Sequence, residues 1–172
     1  MSLNNFCTRC GSDKLNFKEN MFLCSNCGLE TYLNPKPTTN IIFYYENKVL
    51  IAKRATDPFK DSWGLPGGFM ENGENMEECS AREVMEELGI ELSEPKYFCS
   101  IYNDEYIYKG ENYSNICTYF SAPITMANFN KIKTADDVAA VQLITREEIK
   151  TMDFCFGLDK ILERFFEAKL NF

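Results

Sequence analysis

The stretch that decides the reading runs from Gly68 to Ile90: Gly68-Phe69-Met70-Glu71-Asn72-Gly73-Glu74-Asn75-Met76-Glu77-Glu78-Cys79-Ser80-Ala81-Arg82-Glu83-Val84-Met85-Glu86-Glu87-Leu88-Gly89-Ile90. Its second half has helical signals at both ends. Asn75 can cap the helix, with Glu78 three residues on as the reciprocal partner of a capping box. Gly89 suits the left-handed position that ends it. Ala81, Val84 and Leu88 recur at helical spacing and are expected to form the apolar face. Glu83, Glu86 and Glu87 stand at i, i+3 and i+4, which places three carboxylates on one face, expected to lie away from the apolar one. That arrangement opposes local physics. Like charges at this spacing cost about 0.2–0.5 kcal/mol per pair. The last turn of a helix disfavours each anion by roughly 0.3–1 kcal/mol. A plain acidic solvent face is one explanation. A site awaiting a cation is the other, and all-oxygen donors suit Mg²⁺ or Mn²⁺.

The residues just upstream favour the cation. Trp63-Gly64-Leu65-Pro66-Gly67-Gly68 lets backbone approach a metal or phosphate without side-chain obstruction. A glycine loop alone is weak evidence, and a glycine loop leading into a triply acidic helix is stronger. The chain has no histidine, so acid–base chemistry falls to carboxylate, lysine, tyrosine or cysteine, and any metal is held by oxygen or thiolate.

Four of the eight cysteines fall in two pairs, Cys7-Thr8-Arg9-Cys10 and Cys24-Ser25-Asn26-Cys27, each followed by glycine. Two such knuckles, with one β-hairpin expected between Gly11 and Leu23, point to a tetrahedral zinc site. Disulfides and a redox pair are the alternatives. About 30 residues bury too little apolar area to fold alone, so the metal is expected to be structural. Cys79, Cys99, Cys117 and Cys155 read as small core residues.

Asn34-Pro35-Lys36-Pro37 reads as an extended linker, so the domains are expected to be residues 1–34 and 35–172. Runs 39–45 and 49–54 form a β-hairpin, and 96–108 with 113–122 a second one around Lys109-Gly110-Glu111-Asn112. Val138–Ile144 is a strand, Arg146–Thr151 a helical turn, and Leu158–Lys169 a helix with Ile161, Leu162, Phe165 and Phe166 inward. Strands mixed with a few helices predict an α+β layered domain with a mixed sheet.

The central stretch resembles the Nudix box, G-x5-E-x7-R-E-U-x-E-E-x-G-U with U aliphatic, at Gly68, Glu74, Arg82, Glu83, Val84, Glu86, Glu87, Gly89 and Ile90. The knuckles resemble those of the zinc-ribbon-bearing branch, which includes pyrophosphatases of NADH, FAD and ADP-ribose. The resemblance implies a Nudix α/β/α sandwich behind a small ribbon. It implies Mg²⁺- or Mn²⁺-dependent hydrolysis of a diphosphate bond in a nucleoside diphosphate linked to another moiety. By resemblance, Glu83, Glu86 and Glu87 are metal ligands, with Glu83 also a base for the attacking water. A carbonyl of Gly67 or Gly68 is a further ligand, Arg82 orients the glutamates, and Glu74 supports the loop-to-helix contact. Arg54 and Phe69 are candidates to bind substrate, and Tyr44 and Phe59 to stack on a base. Glu105, Glu111, Asp136 and Asp137 are candidate carboxylates outside the box.

Two departures bear on the substrate. The Ser-Gln-Pro-Trp-Pro-Phe-Pro stretch of ribbon-bearing NADH pyrophosphatases is absent, which argues against NADH. Ala140 and Leu143 stand where relatives often carry Glu and Trp. A non-catalytic nucleotide-binding module and an RNA-processing hydrolase are the alternatives.

A net charge of −8 and no basic run argue against DNA as a partner. No stretch reaches the roughly 20 apolar residues that span a bilayer. The polar start, Met1-Ser2-Leu3-Asn4-Asn5, lacks the order of a signal peptide, and a cytoplasmic location is expected. The expected partner is a small nucleotide, and a homodimer is compatible with the sequence.

Overall fold

The protein is described by a computed structural model covering residues 5–108 and 111–169. The Met1–Asn4 start and the Lys109-Gly110 turn fall outside the described residues. The chain forms two compact units, residues 1–36 with 102–116, and residues 37–101 with 117–172.

The first unit contains the cysteine knuckles. Strands β1 (Leu15–Lys18) and β2 (Met21–Cys24) make the expected hairpin, and β3 (Glu30–Tyr32) adds a third antiparallel strand on β2, with Met21 opposite Tyr32. Three residues are too few to show a period, so β3 has no signature in the sequence. Positive φ at Gly28 (72°) lets the second knuckle turn the chain back onto β2.

The second unit is built on a six-stranded sheet. Strands β4 (Lys36–Tyr45) and β5 (Lys48–Arg54) form a hairpin, β6 (Trp63–Gly64) pairs with β5, and β7 (Lys96–Tyr108) with β8 (Glu111–Pro123) continue the order β6-β5-β4-β8-β7. Strand β9 (Val138–Ile144) pairs antiparallel along β5, from Val49–Ile144 to Arg54–Val138. Trp63 also makes a parallel bridge to Phe154. The expected linker is partly strand, because β4 already includes Lys36 and Pro37.

Period-two alternation explains the layering. Ile42, Val49 and Ile51 point into one core, with Leu158, Ile161, Leu162, Phe165 and Phe166 of α3 (Leu158–Lys169). Ile41, Phe43, Leu50 and Ala52 point the other way, into a core with Val84 and Leu88 of α1 (Met76–Leu88). A sheet covered by a helix on each face is the α/β/α sandwich expected of an α+β chain with a mixed sheet. A four-residue helix, α2 (Met126–Phe129), capped by Thr125, was not legible from the sequence. The four scattered cysteines, Cys79, Cys99, Cys117 and Cys155, are all buried as free thiols.

Candidate functional site

Helix α1 begins and ends as its sequence dictates. The Asn75 side chain accepts from the Glu78 N–H at 2.9 Å, the Glu78 carboxylate accepts from the Asn75 N–H at 2.8 Å, and Gly89 takes φ 65°. Its faces differ from the expectation. Ala81 is exposed, whereas Cys79, Ser80, Glu83, Val84, Glu87 and Leu88 are buried. Glu83 and Glu87 therefore share the covered side of the helix with Val84 and Leu88, and Glu86 stands out with its side chain 49% exposed.

What covers the two buried carboxylates is the glycine loop. The Gly67 N–H donates to Glu87 Oε2 at 2.9 Å. A Cβ on Gly68 would lie 2.6 Å from Glu83 Cδ, and one on Gly67 would overlap the Thr39 carbonyl. Only glycine fits at Gly67, which also has φ 141°, whereas a side chain at Gly68 would require the Glu83 carboxylate to move. The Gly68 carbonyl accepts from the Thr39 N–H at 2.9 Å, so β4 holds the loop down. The Thr39 hydroxyl also meets Ser80 Oγ of α1 at 2.6 Å, but its hold on the loop is through backbone, which leaves no sequence signal.

Arg82 ties the box together. It forks onto Glu74, with Nη2–Oε1 at 2.7 Å and Nε–Oε2 at 3.1 Å, and donates to the Phe69 carbonyl at 3.0 Å. Its Nη1 reaches Glu83 at 2.8 Å and Glu86 at 3.0 Å. A planar guanidinium can serve four acceptors in this way and an ammonium cannot. The Arg82 fork holds Glu74 down to about 2, and the same contacts, Glu74 first, raise Arg82.

The buried acids behave oppositely. Burial pushes Glu87 up to about 8 against the Gly67 N–H, with Glu83, Asp137 and Asp136 adding like charge. Burial also raises Glu83, against Arg82 and with Glu86 and Asp136. Asp136 is exposed and Asp137 half-buried. The loop that bears them is fixed to the end of α1 by Lys133 N–H to the Leu88 carbonyl and Ala135 N–H to the Glu87 carbonyl, each 3.0 Å. The side chains of Glu105 and Glu111 lie outside the described residues.

The other substrate candidates are dispersed. Arg54 Nε donates to the Pro58 carbonyl at 2.7 Å, and Nη2 lies 4.0 Å from Asp137. Phe69 is 37% exposed beside Gly68. Tyr44 instead packs on Phe165, with ring centroids 5.9 Å apart, as a core residue.

The ribbon presents a different donor set. The four Sγ atoms of Cys7, Cys10, Cys24 and Cys27 all lie within 4.8 Å of one another, a cluster that can hold a metal ion. Cys7–Cys27 is 3.6 Å and Cys10–Cys24 3.7 Å. A tetrahedron of Zn–S bonds of about 2.3 Å has edges of roughly 3.8 Å, so the spacing fits. Matching knuckle bonds, Gly11 N–H to Cys7 O and Gly28 N–H to Cys24 O at 2.9 Å, position the thiols. The Asn26 amide beside Cys10 lowers that thiol to about 6, and the Cys10 N–H lowers Cys7. Among the described residues no helix is long and apolar enough to cross a membrane.

Comparison with known proteins agrees with this geometry. A 46%-identical match over 59 residues is found in the ADP-ribose pyrophosphatase of Methanocaldococcus jannaschii, covering 34% of this chain and 35% of that protein. The NAD-capped RNA hydrolase NudC of Vibrio atlanticus is 34% identical over 96 residues, 55% of this chain and 35% of that one. The chain thus spans about a third of the length of these two relatives. The crystal structure of a NUDIX hydrolase from Nitrosomonas europaea superposes with a TM-score of 0.76 at 28% identity, covering 96% of this chain and 92% of that one. The model of the NUDIX domain matches residues 34–165, and the chain belongs to the Nudix family.

Proposed function

We propose that the chain hydrolyses a diphosphate bond in a nucleoside diphosphate linked to a second moiety, such as ADP-ribose, FAD or a related dinucleotide. The observation that carries this reading is the glycine loop pressed onto Glu83 and Glu87, two carboxylates buried side by side and raised together. An all-oxygen set with surplus negative charge fits a hard divalent cation, Mg²⁺ or Mn²⁺, held by Glu83, Glu86 and Glu87 with a carbonyl of Gly67 or Gly68. Such a cation supplies neutralisation of the diphosphate and acidifies the attacking water.

The chain's own groups do the rest. Arg82 orients Glu83 and Glu86, and Glu74 fixes Arg82 from the loop. The Gly67 N–H sets the direction of the Glu87 carboxylate. Glu83 takes the proton of the attacking water as general base. Arg54 and Phe69 contact the substrate. Zinc in the ribbon is structural, with Cys7, Cys10, Cys24 and Cys27 as its four ligands and no position left for substrate. The proposed arrangement is a ribbon of residues 1–34 before a hydrolase domain of residues 35–172, acting in the cytoplasm.

A panel of dinucleotides and nucleotide sugars incubated with Mg²⁺ tests the reading. At least one is expected to release a nucleoside monophosphate. Failure of every diphosphate with both Mg²⁺ and Mn²⁺ overturns it and favours a nucleotide-binding module. The similarity to NudC favours one second reading, an NAD-capped RNA end as substrate, and such an RNA belongs in the same panel.

A further inference from the structure

Outside the box, two phenylalanines are held in the open by unusual backbone. Phe59 lies in the loop between β5 and β6, 49% exposed, and Phe156 lies in the turn before α3, 39% exposed. Their φ angles are 64° and 56°, a left-handed region that bulky side chains avoid. Backbone held in that region marks functional segments more often than ordinary loops. The two rings meet edge to face, with centroids 4.7 Å apart and planes at 70°. Two separate loops thus converge on one exposed aromatic pair.

Arg54 connects this pair to the acidic site. Its Nε braces the Phe59 loop through the Pro58 carbonyl at 2.7 Å, and its guanidinium carbon lies 5.9 Å from the Phe156 ring centroid. On the other side, Nη2 is 4.0 Å from Asp137, whose carboxylate also accepts from Thr56 Oγ1 at 3.0 Å and whose carbonyl accepts from the Ala55 N–H at 2.7 Å. Two residues before Asp137, the Ala135 N–H donates to the Glu87 carbonyl at 3.0 Å. A connected path therefore runs from the Glu87 backbone through the Ala135–Asp137 segment and Arg54 to the Phe59 loop and the Phe156 ring.

We propose that Phe59, braced by Phe156, is the stacking surface for the nucleobase of the substrate, with Arg54 as the cation beside its phosphates. This assignment rests on the hydrolase reading above. In a nucleotide, one ribose separates the base from its phosphates. Here one arginine separates an aromatic surface from the phosphate-cleaving carboxylates. The chemistry matches at both ends, since a ring face accepts any base and favours the larger face of a purine, and a guanidinium suits phosphate oxygens. It also accounts for exposed phenylalanines in strained loops, which packing alone would bury.

The test uses the full chain with Mg²⁺. Calorimetric titration compares AMP with ribose 5-phosphate on the wild type, Phe59→Ala and Phe59→Tyr, and kinetics on a cleaved dinucleotide compare KM. AMP is expected to bind the wild type about tenfold or more tighter than ribose 5-phosphate. Phe59→Ala and Phe156→Ala remove that preference and raise KM by a similar factor, while Phe59→Tyr keeps both. Unchanged melting temperatures show that the exposed substitutions leave the fold intact. An AMP preference that survives Phe59→Ala, or a dimer that dissociates in Phe59→Ala with KM unmoved, overturns the assignment. If no diphosphate is cleaved yet Phe59→Ala still abolishes AMP preference, the subsite stands and the hydrolase reading falls.

Discussion

Glu74 and Glu87 lie in one box and are pulled in opposite directions. Glu74, forked by Arg82, sits at about 2, below its ordinary 4.5. It therefore adds stability that is present above pH 4.5 and lost as pH falls toward 2. Glu87, buried beneath Gly67, sits at about 8, above the same 4.5. The folded state then holds more protons than the unfolded one between those values, so metal-free stability falls as pH rises from about 4.5 to about 8. The effect is on the order of a few kcal/mol. Denaturant midpoints between pH 5 and 9 without divalent metal are expected to decline in the wild type and to flatten in Glu87→Gln. An equal decline in both would remove Glu87 as its source. A second expectation concerns Gly68, where a side chain would occupy the Glu83 carboxylate. Gly68→Ala should fold and lose activity by on the order of 10²-fold, because Glu83 must move. Turnover within a few-fold of wild type would show that the close approach does not matter.

Helix α1 behaves as an element whose ends are set locally and whose covered side is set by its neighbour. Its capping box is a local device, so Asn75→Ala should cost about 1 kcal/mol and lower the melting temperature by roughly 2–4 °C. Leu162 of α3 is fully buried in the opposite core, and Leu162→Ala should cost about 2–5 kcal/mol. Thermal melts of the two variants check both numbers, and a Leu162→Ala loss no larger than that of Asn75→Ala would contradict the packing described. These elements also show what the sequence could reveal. The capping pair, Gly89, the β4–β5 hairpin and the inward face of α3 rest on short-range rules, and all are found. The covered side of α1 differs from its periodic pattern, because Glu83 and Glu87 count as polar in any such pattern yet are buried. The glycine loop, docked on Thr39 of a distant strand, lies against them. Strand β3 and helix α2 are too short to register a period. The Phe59–Phe156 pairing joins loops far apart in the chain, and spacing alone carries no trace of it.

At the scale of the molecule, two donor sets divide the chemistry. In the proposed reading, thiolates in the first unit hold a structural zinc and carboxylates in the second hold a hard, exchangeable cation. On that reading, a net charge of −8 requires the cation before a polyphosphate can approach. The central claim is that the box carboxylates make this chain a metal-dependent diphosphate hydrolase. Glu86 tests it most cleanly, because it is half-exposed and its loss should leave the fold unchanged. The decisive measurement is kcat with saturating Mg²⁺ on a diphosphate that the wild type cleaves, for wild type and Glu86→Gln at matched melting temperatures. A loss on the order of 10²-fold or more is expected, and wild-type turnover in Glu86→Gln would refute the claim.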